Sequence, residues 1–124
     1  HFRFKQYLIN QRLFLIKFWL TQEIYYTNEQ GYNSIISSNY TIIPNSRGQV
    51  YLTTYPMSTE VTKNELFMGG YGSYRNKGGY VISFTLKNGV VLTPGTQPNE
   101  WIHNGTIRYG RQIEKIVYSG INPF

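Results

Sequence analysis

From Glu23 onward, short apolar runs rich in Tyr, Ile, Val and Thr alternate with polar turns, and this alternation constrains the fold more than any other feature of the chain. β-branched and aromatic side chains at a period of two suit a half-buried pleated surface. The chain therefore reads as mainly strand, with strands expected at residues 24–27, 41–43, 49–55, 80–86, 90–93 and 112–118. Asn88-Gly89 is expected to close a hairpin, because both residues tolerate the positive φ that a tight turn demands.

Two short helices interrupt the strands. Asn28 is placed to cap a helix over 29–37 that brings Tyr32, Ile35 and Ile36 to one face. Ser58 opens a second, running to Met68 and turning Val61, Leu66 and Phe67 inward. Gly69-Gly70 ends it. The segment 69–79, GGYGSYRNKGG, holds five glycines with Arg75 and Lys77. It reads as a flexible surface loop or as one that contacts a ligand.

At 124 residues the chain has room for one modest core, and 40% hydrophobic with 17% aromatic content agrees with a globular α+β domain. Residues 1–22 form a separate helix or linker segment and 23–124 a single domain with no repeat. The first residue is His, so the chain resembles an excised carboxy-terminal domain of a longer protein. In the amino-terminal segment Lys17 breaks the longest apolar run well short of the roughly 20 residues a membrane-spanning helix needs. No transmembrane segment is expected, and no signal-peptide cleavage site follows Leu20.

The chain contains no aspartate and no cysteine. Disulfide frameworks and thiolate zinc sites are excluded, and the fold is indifferent to redox compartment. His1 and His103 are the only imidazoles, so no metal cofactor is expected. Nucleophilic triads lack an acid of the right kind and any Gly-x-Ser-x-Gly elbow. The glycine loop is not followed by Lys and Ser or Thr and enters a strand, which argues against nucleoside-triphosphate chemistry. A formal charge of +6 favours anionic partners.

Every carboxylate available for chemistry is one of six glutamates. Glu23 precedes a strand, Glu29, Glu60 and Glu65 fall on the expected helices, and Glu114 lies on an alternating strand beside Lys115, so structural explanations cover all five. Glu100, in Gln97-Pro98-Asn99-Glu100-Trp101-Ile102-His103-Asn104-Gly105, is the catalytic candidate.

Three segments occur in an order that resembles the small ADP-ribosyltransferase domains of bacterial polymorphic toxins, including the His-Tyr-Asp type and the tips of Rhs-like proteins. Ile24-Tyr25-Tyr26-Thr27 is similar to their "(L/I)YHYT" strand. Glu29-Gln30-Gly31-Tyr32-Asn33-Ser34-Ile35-Ile36-Ser37-Ser38 is similar to their "xxGxxxIxxSG" helix. Gly48-Gln49-Val50-Tyr51-Leu52-Thr53-Thr54 is similar to their "GxVYLT" strand. The likeness spans roughly residues 23 to 120, closer in its first half than in its second.

The resemblance implies a split, strand-rich sheet with two short helices, and NAD as substrate. It places Tyr25, Tyr26, Thr27, Tyr51 and Thr53 at the NAD site and Glu100 as the acid on the nicotinamide ribose. Arg47, Arg75 or Arg108 would meet the pyrophosphate. It further implies delivery by a bacterium, action on a protein or nucleic-acid acceptor in the target-cell cytoplasm, and a cognate immunity protein whose acidic surface covers the basic face. Tyr25 departs from the family's His, and Pro98 stands two residues before Glu100 where arginine-modifying members carry Gln or Glu. Arginine is therefore a disfavoured acceptor, and plain NAD hydrolysis stays open.

Two further readings remain. One is a metal-independent ribonuclease with His103 as base, Lys115 or Arg111 on the phosphate, and Thr106 or Tyr118 assisting. The other is a binding module without catalysis that uses the glycine loop and strand edges.

Overall fold

In the computed structural model, residues 22–66 and 78–124 are described. The amino-terminal segment 1–21 and most of the glycine loop, 67–77, lie outside them, as do the inward-facing roles expected of Leu66 and Phe67. The elements in chain order are β1 (Glu23–Thr27), α1 (Glu29–Ser37), β2 (Thr41–Ile42), β3 (Gln49–Thr53), α2 (Thr59–Leu66), β4 (Tyr80–Leu86), β5 (Thr93–Pro94), β6 (Glu100–Asn104), β7 (Ile107–Arg108) and β8 (Ile113–Ile121). The architecture is α+β, a strand-rich antiparallel arrangement with two short helices.

Six strands form one sheet in the order β5-β6-β3-β1-β4-β8, and β2 pairs with β7 in a second, two-stranded piece. β3 and β6 pair along five residues, as do β1 and β4. Between β1 and β3 a single pair is in register, Ile24 with Thr53. The sheet is thus one open antiparallel sheet whose shortest pairing, β1 with β3, lies between a half made of β5-β6-β3 and a half made of β1-β4-β8.

Local chemistry explains the elements that come first. Asn28 caps α1, its Oδ1 accepting from the Gly31 amide at 2.8 Å. Gly31 is needed there because a Cβ at this position would collide with Thr27 Oγ1 on the adjoining strand. Ile35 is buried, with Tyr32 and Ile36 half-buried beside it, as the helical spacing predicts. Ser58 opens α2 by accepting from the Val61 amide at 3.2 Å. Among the described side chains of α2 the buried one is Thr62, however, and Val61 is 44% exposed. Thr62 Oγ1 donates to the Ser58 carbonyl at 2.7 Å, which lets a polar side chain be buried without loss.

Other expectations fail at long range. Asn88 and Gly89 do form a turn, with Gly89 at φ +91°. They do not close a hairpin, because β4 pairs with β8 and residues 90–92 are not strand. The chain instead crosses to the far edge, where β5 is reduced to Thr93–Pro94 and pairs with β6. Sequence reasoning assigns no strand to residues 100–104, yet they form β6, and β7 is likewise unanticipated. The last strand extends past Tyr118 to Ile121.

The main core joins Ile35, Ile42, Val50, Leu52, Ile82, Phe84, Ile107 and Ile113, with Tyr25 and Tyr40 packed at its margin. It draws on both halves of the sheet and on the β2-β7 piece. A smaller cluster on the opposite face holds Ile24, Tyr26 and Val81 against Met57 and Tyr118. Among the described residues, no helix is long and apolar enough to cross a membrane.

Candidate functional site

The register draws one continuous row of side chains across five strands: Glu100 lies opposite Thr53, Thr53 opposite Ile24, Ile24 opposite Ser83, and Ser83 opposite Tyr118. Paired residues of an antiparallel sheet share a face, with Cβ atoms about 4.5–5.5 Å apart. Glu100 and Thr53 are therefore neighbours at the point where the two halves meet. Thr53 is 1% exposed, and its Oγ1 accepts from the Tyr55 amide at 3.2 Å. Ser83 is fully buried and donates to Gln22 Oε1 at 3.0 Å.

Glu100 begins β6 and is fixed by its own turn. Its amide donates to the Gln97 carbonyl at 3.2 Å, and its carbonyl accepts from the Gly95 amide at 2.8 Å. Its Oε1 accepts from the amides of Thr96 at 3.1 Å and Gln97 at 3.5 Å. The carboxylate lies so close over Gly95 that a Cβ there would overlap it. Asn99 sits at φ +62°, which completes the tight approach to the strand. Glu100 is half-buried as a residue, with its carboxylate bonded to this turn at the protein surface.

The remaining candidates divide by face. Tyr51 shares the face of Thr53, is 37% exposed, and donates its hydroxyl to Gln49 Oε1 at 2.8 Å. Tyr26 lies on the face of Ile24 but is 4% exposed, and both sides of its hydroxyl are occupied. It accepts from the Met57 amide at 2.7 Å and donates to the Tyr55 carbonyl at 3.3 Å. Burial raises the phenol's pKa, opposed by the hydrogen bonds from the Met57 backbone and Thr62. Tyr26 therefore anchors the 55–57 segment. Tyr25, at the position of the family's His, points to the opposite face and packs against the main core, where burial raises its pKa as well. Thr27 is also buried, beneath Gly31 of α1. Thus Glu100, Thr53 and Tyr51 share one face by register, but the Glu100 carboxylate is bonded over the β5 side of β6, the Tyr51 hydroxyl turns to Gln49, and Thr53 is buried. Tyr26 is scaffold, and Tyr25 and Thr27 belong to the other layer.

The cations proposed for the pyrophosphate are not adjacent to this row. Arg47 precedes β3 and Arg108 follows β6 on β7, so both lie beyond the end of β3 opposite Thr53. Five residues of strand at about 3.4 Å each separate the two ends. Arg75 lies outside the described residues.

Of the ribonuclease candidates, Thr106 lies in the turn between β6 and β7 three residues after His103, Arg111 in the turn after β7, and Lys115 and Tyr118 on β8. His103 faces Val50 on the main-core side, is 9% exposed, and pairs its Nδ1 with the Gly105 carbonyl at 2.9 Å. Lys115 and Tyr118 sit on β8, four strand positions away in the sheet. Tyr118 is committed to the Ile121 carbonyl at 2.6 Å. Among the described residues, no group of three His, Asp, Glu or Cys side chains could hold a metal ion.

One carboxyl escaped the sequence reading. Glu23 opens β1 beside Phe84 of β4, and burial pushes its carboxyl from an ordinary value of 4.5 up to about 7. Its Oε2 is buried with no hydrogen-bond partner among the described residues. The only available signal was its position directly before an apolar strand, which does not distinguish a rim carboxylate from a desolvated one. Comparison with family models, with curated proteins and with solved structures found no match to this chain.

Proposed function

We propose that the chain is an NAD-consuming toxin domain, a mono-ADP-ribosyltransferase whose catalytic acid is Glu100. The observation that carries this reading is the register that places Glu100, its carboxylate bonded to its own turn, opposite Thr53 and beside the short β1–β3 pairing. The short β1–β3 pairing is compatible with the split architecture that the resemblance implies. Tyr51, exposed on the same face, offers a ring for the nicotinamide or its ribose.

The chemistry needs few parts. The glycosidic bond between the ribose C1′ and the nicotinamide nitrogen breaks, and neutral nicotinamide departs with the bonding pair. Positive charge then spreads over C1′ and the ring oxygen, and a fixed carboxylate stabilises it. An acceptor oxygen or nitrogen closes the new bond to C1′ and loses its proton. If water takes that place the outcome is NAD hydrolysis, with the same demand on Glu100. In this reading the domain is delivered by a bacterium, acts in the target-cell cytoplasm, and is held in check at home by an acidic immunity protein.

The test is to incubate the pure chain and its Glu100→Gln form with labelled NAD, with and without cell lysate. We expect nicotinamide release to fall by about a hundredfold to a thousandfold in the variant, the range for losing a preorganised charge-stabilising group. Label transfer to lysate distinguishes the transferase from the hydrolase. Absence of release from the unaltered chain would overturn the reading in favour of a binding module. Release that survives Glu100→Gln but disappears in Glu23→Gln would move the catalytic role to the buried carboxyl.

A further inference from the structure

Residues 108–111, Arg-Tyr-Gly-Arg, form a turn that takes no part in the Glu100 row. β7 delivers Arg108 opposite Thr41. The amides of Arg111 and Gln112 both donate to the Arg108 carbonyl at 3.1 Å, and the Arg108 amide donates to Gln112 Oε1 at 3.0 Å. Gly110, at φ +86°, donates to the Ile113 carbonyl at 3.0 Å. Lys87 reaches in from the end of β4, its Nζ donating to the Gly110 carbonyl at 2.8 Å. Three exposed cations gather at one hydrogen-bonded turn. The ion pair found among the described residues joins Lys63 to Glu60 on α2, so none of these three is neutralised by a carboxylate there.

Between the two arginines stands Tyr109, 47% exposed. Its amide donates to the Tyr40 carbonyl at 3.1 Å, and the two rings lie 6.3 Å apart at 39°. Tyr40 itself adopts φ +59°, an unfavourable conformation for a bulky side chain. It is held there by its amide donating to the Ile35 carbonyl at 2.8 Å and by its hydroxyl paired with Ser119 Oγ at 3.0 Å. Backbone strain that surrounding contacts over-determine is a mark of a positioned group. What it positions is an exposed aromatic ring with Arg108 and Arg111 flanking it in the sequence.

We propose that this turn binds single-stranded nucleic acid, with Arg108, Arg111 and Lys87 meeting phosphates and the exposed Tyr109 ring stacking a base. An acidic protein surface would satisfy the cations and could pack the ring, and the salt and polyglutamate arms of the test separate it from nucleic acid. Alternating stacked bases and phosphates use both. Guanidinium groups suit phosphate because they donate in a planar fork. The proposal stands independently of NAD chemistry.

Fluorescence anisotropy with labelled oligouridine and oligothymidine dodecamers tests it on the full chain over a salt series. Arg108→Ala/Arg111→Ala should weaken binding about tenfold at low salt and lower the magnitude of the log-log salt slope by about 1.4, two contacts at about 0.7 each for a single strand. Tyr109→Ala should lose about fivefold to tenfold with the slope unchanged, as expected for stacking. Lys63→Ala, remote on α2, should change neither. Circular dichroism confirms that the variants stay folded. No binding by the unaltered chain at low salt, or a double variant that binds as well as it does, would overturn the proposal. So would an unaffected Tyr109→Ala combined with equal binding of polyglutamate, which would assign the turn to an acidic protein.

Discussion

On the face that carries α1, Val50, Leu52, Ile82 and Phe84 merge with Ile35, Ile42, Ile107 and Ile113 into one apolar cluster. The face that carries Thr53 buries only Ile24, Tyr26 and Val81 as its apolar set, in company with polar Thr53, Ser83, Gln22 and Thr62. The two faces solve different problems. Apolar contacts are non-directional and scale with the area removed from water, so the first face supplies cohesion. Buried hydroxyls and amides survive only with aligned partners, so the second face supplies fixed positions. By register Glu100, the acid of the proposed reaction, lies on the second.

The largest expected effect breaks the comparison if it fails. Phe84→Ala, at a fully buried position in the main core, should cost about 3–5 kcal/mol in chemical denaturation. A loss below about 1 kcal/mol would mean that the α1 face is not the cohesive one.

Glu23 comes next, because it is a carboxyl placed on the cohesive face. Its folded pKa is raised from 4.5 to about 7 by burial. Its contribution to stability is therefore fully present below about pH 4.5 and is lost as the pH rises through about 7. Glu23→Gln should match the unaltered chain at acid pH and be more stable above neutral pH by about 1–2 kcal/mol, a figure reduced for the group's partial contact with solvent. Denaturation curves that differ equally at both ends of the range would remove Glu23 as the titrating group.

Two smaller effects sharpen the account of the positional face. Gly95→Ala places a methyl against Cγ, Cδ and Oε1 of Glu100, so this surface side chain must leave its present rotamer and its bond to the Thr96 amide. Stability should change by less than about 1 kcal/mol while NAD turnover falls about tenfold, since small misplacements of a reacting group are costly. Unchanged turnover would show that the orientation imposed by the 95–99 turn is immaterial. Ser83→Ala leaves Gln22 Oε1 without its donor and should cost about 1 kcal/mol, measurable by thermal unfolding.

Residues whose partners are close in sequence were legible. Asn28 announces α1 because the amide it caps is three residues away, and residues 80–86 declare β4 through their own apolar content. Val61 misleads because helical spacing identifies a candidate face but not which side meets the sheet. Thr62 takes the interior by bonding to its own helix. Asn88-Gly89 misleads more deeply. The turn chemistry is right, but a hairpin also needs the following residues to prefer β4, and β8 occupies that edge.

The candidate site shows the same division. The sequence by itself determined its inventory: no thiol, no aspartate, one glutamate in a Pro-Asn turn, and tyrosines and threonines in two strand-forming segments. It also determined that Tyr51 and Thr53 share a face, since side chains alternate along a strand. Only the tertiary structure decided that β6 lies beside β3, that Tyr25 faces the opposite layer from Glu100, and that Glu23 loses its water. Strand neighbours and desolvation are set by chain segments dozens of residues apart, whose pairing depends on the whole core closing at once, and no local pattern carries that information.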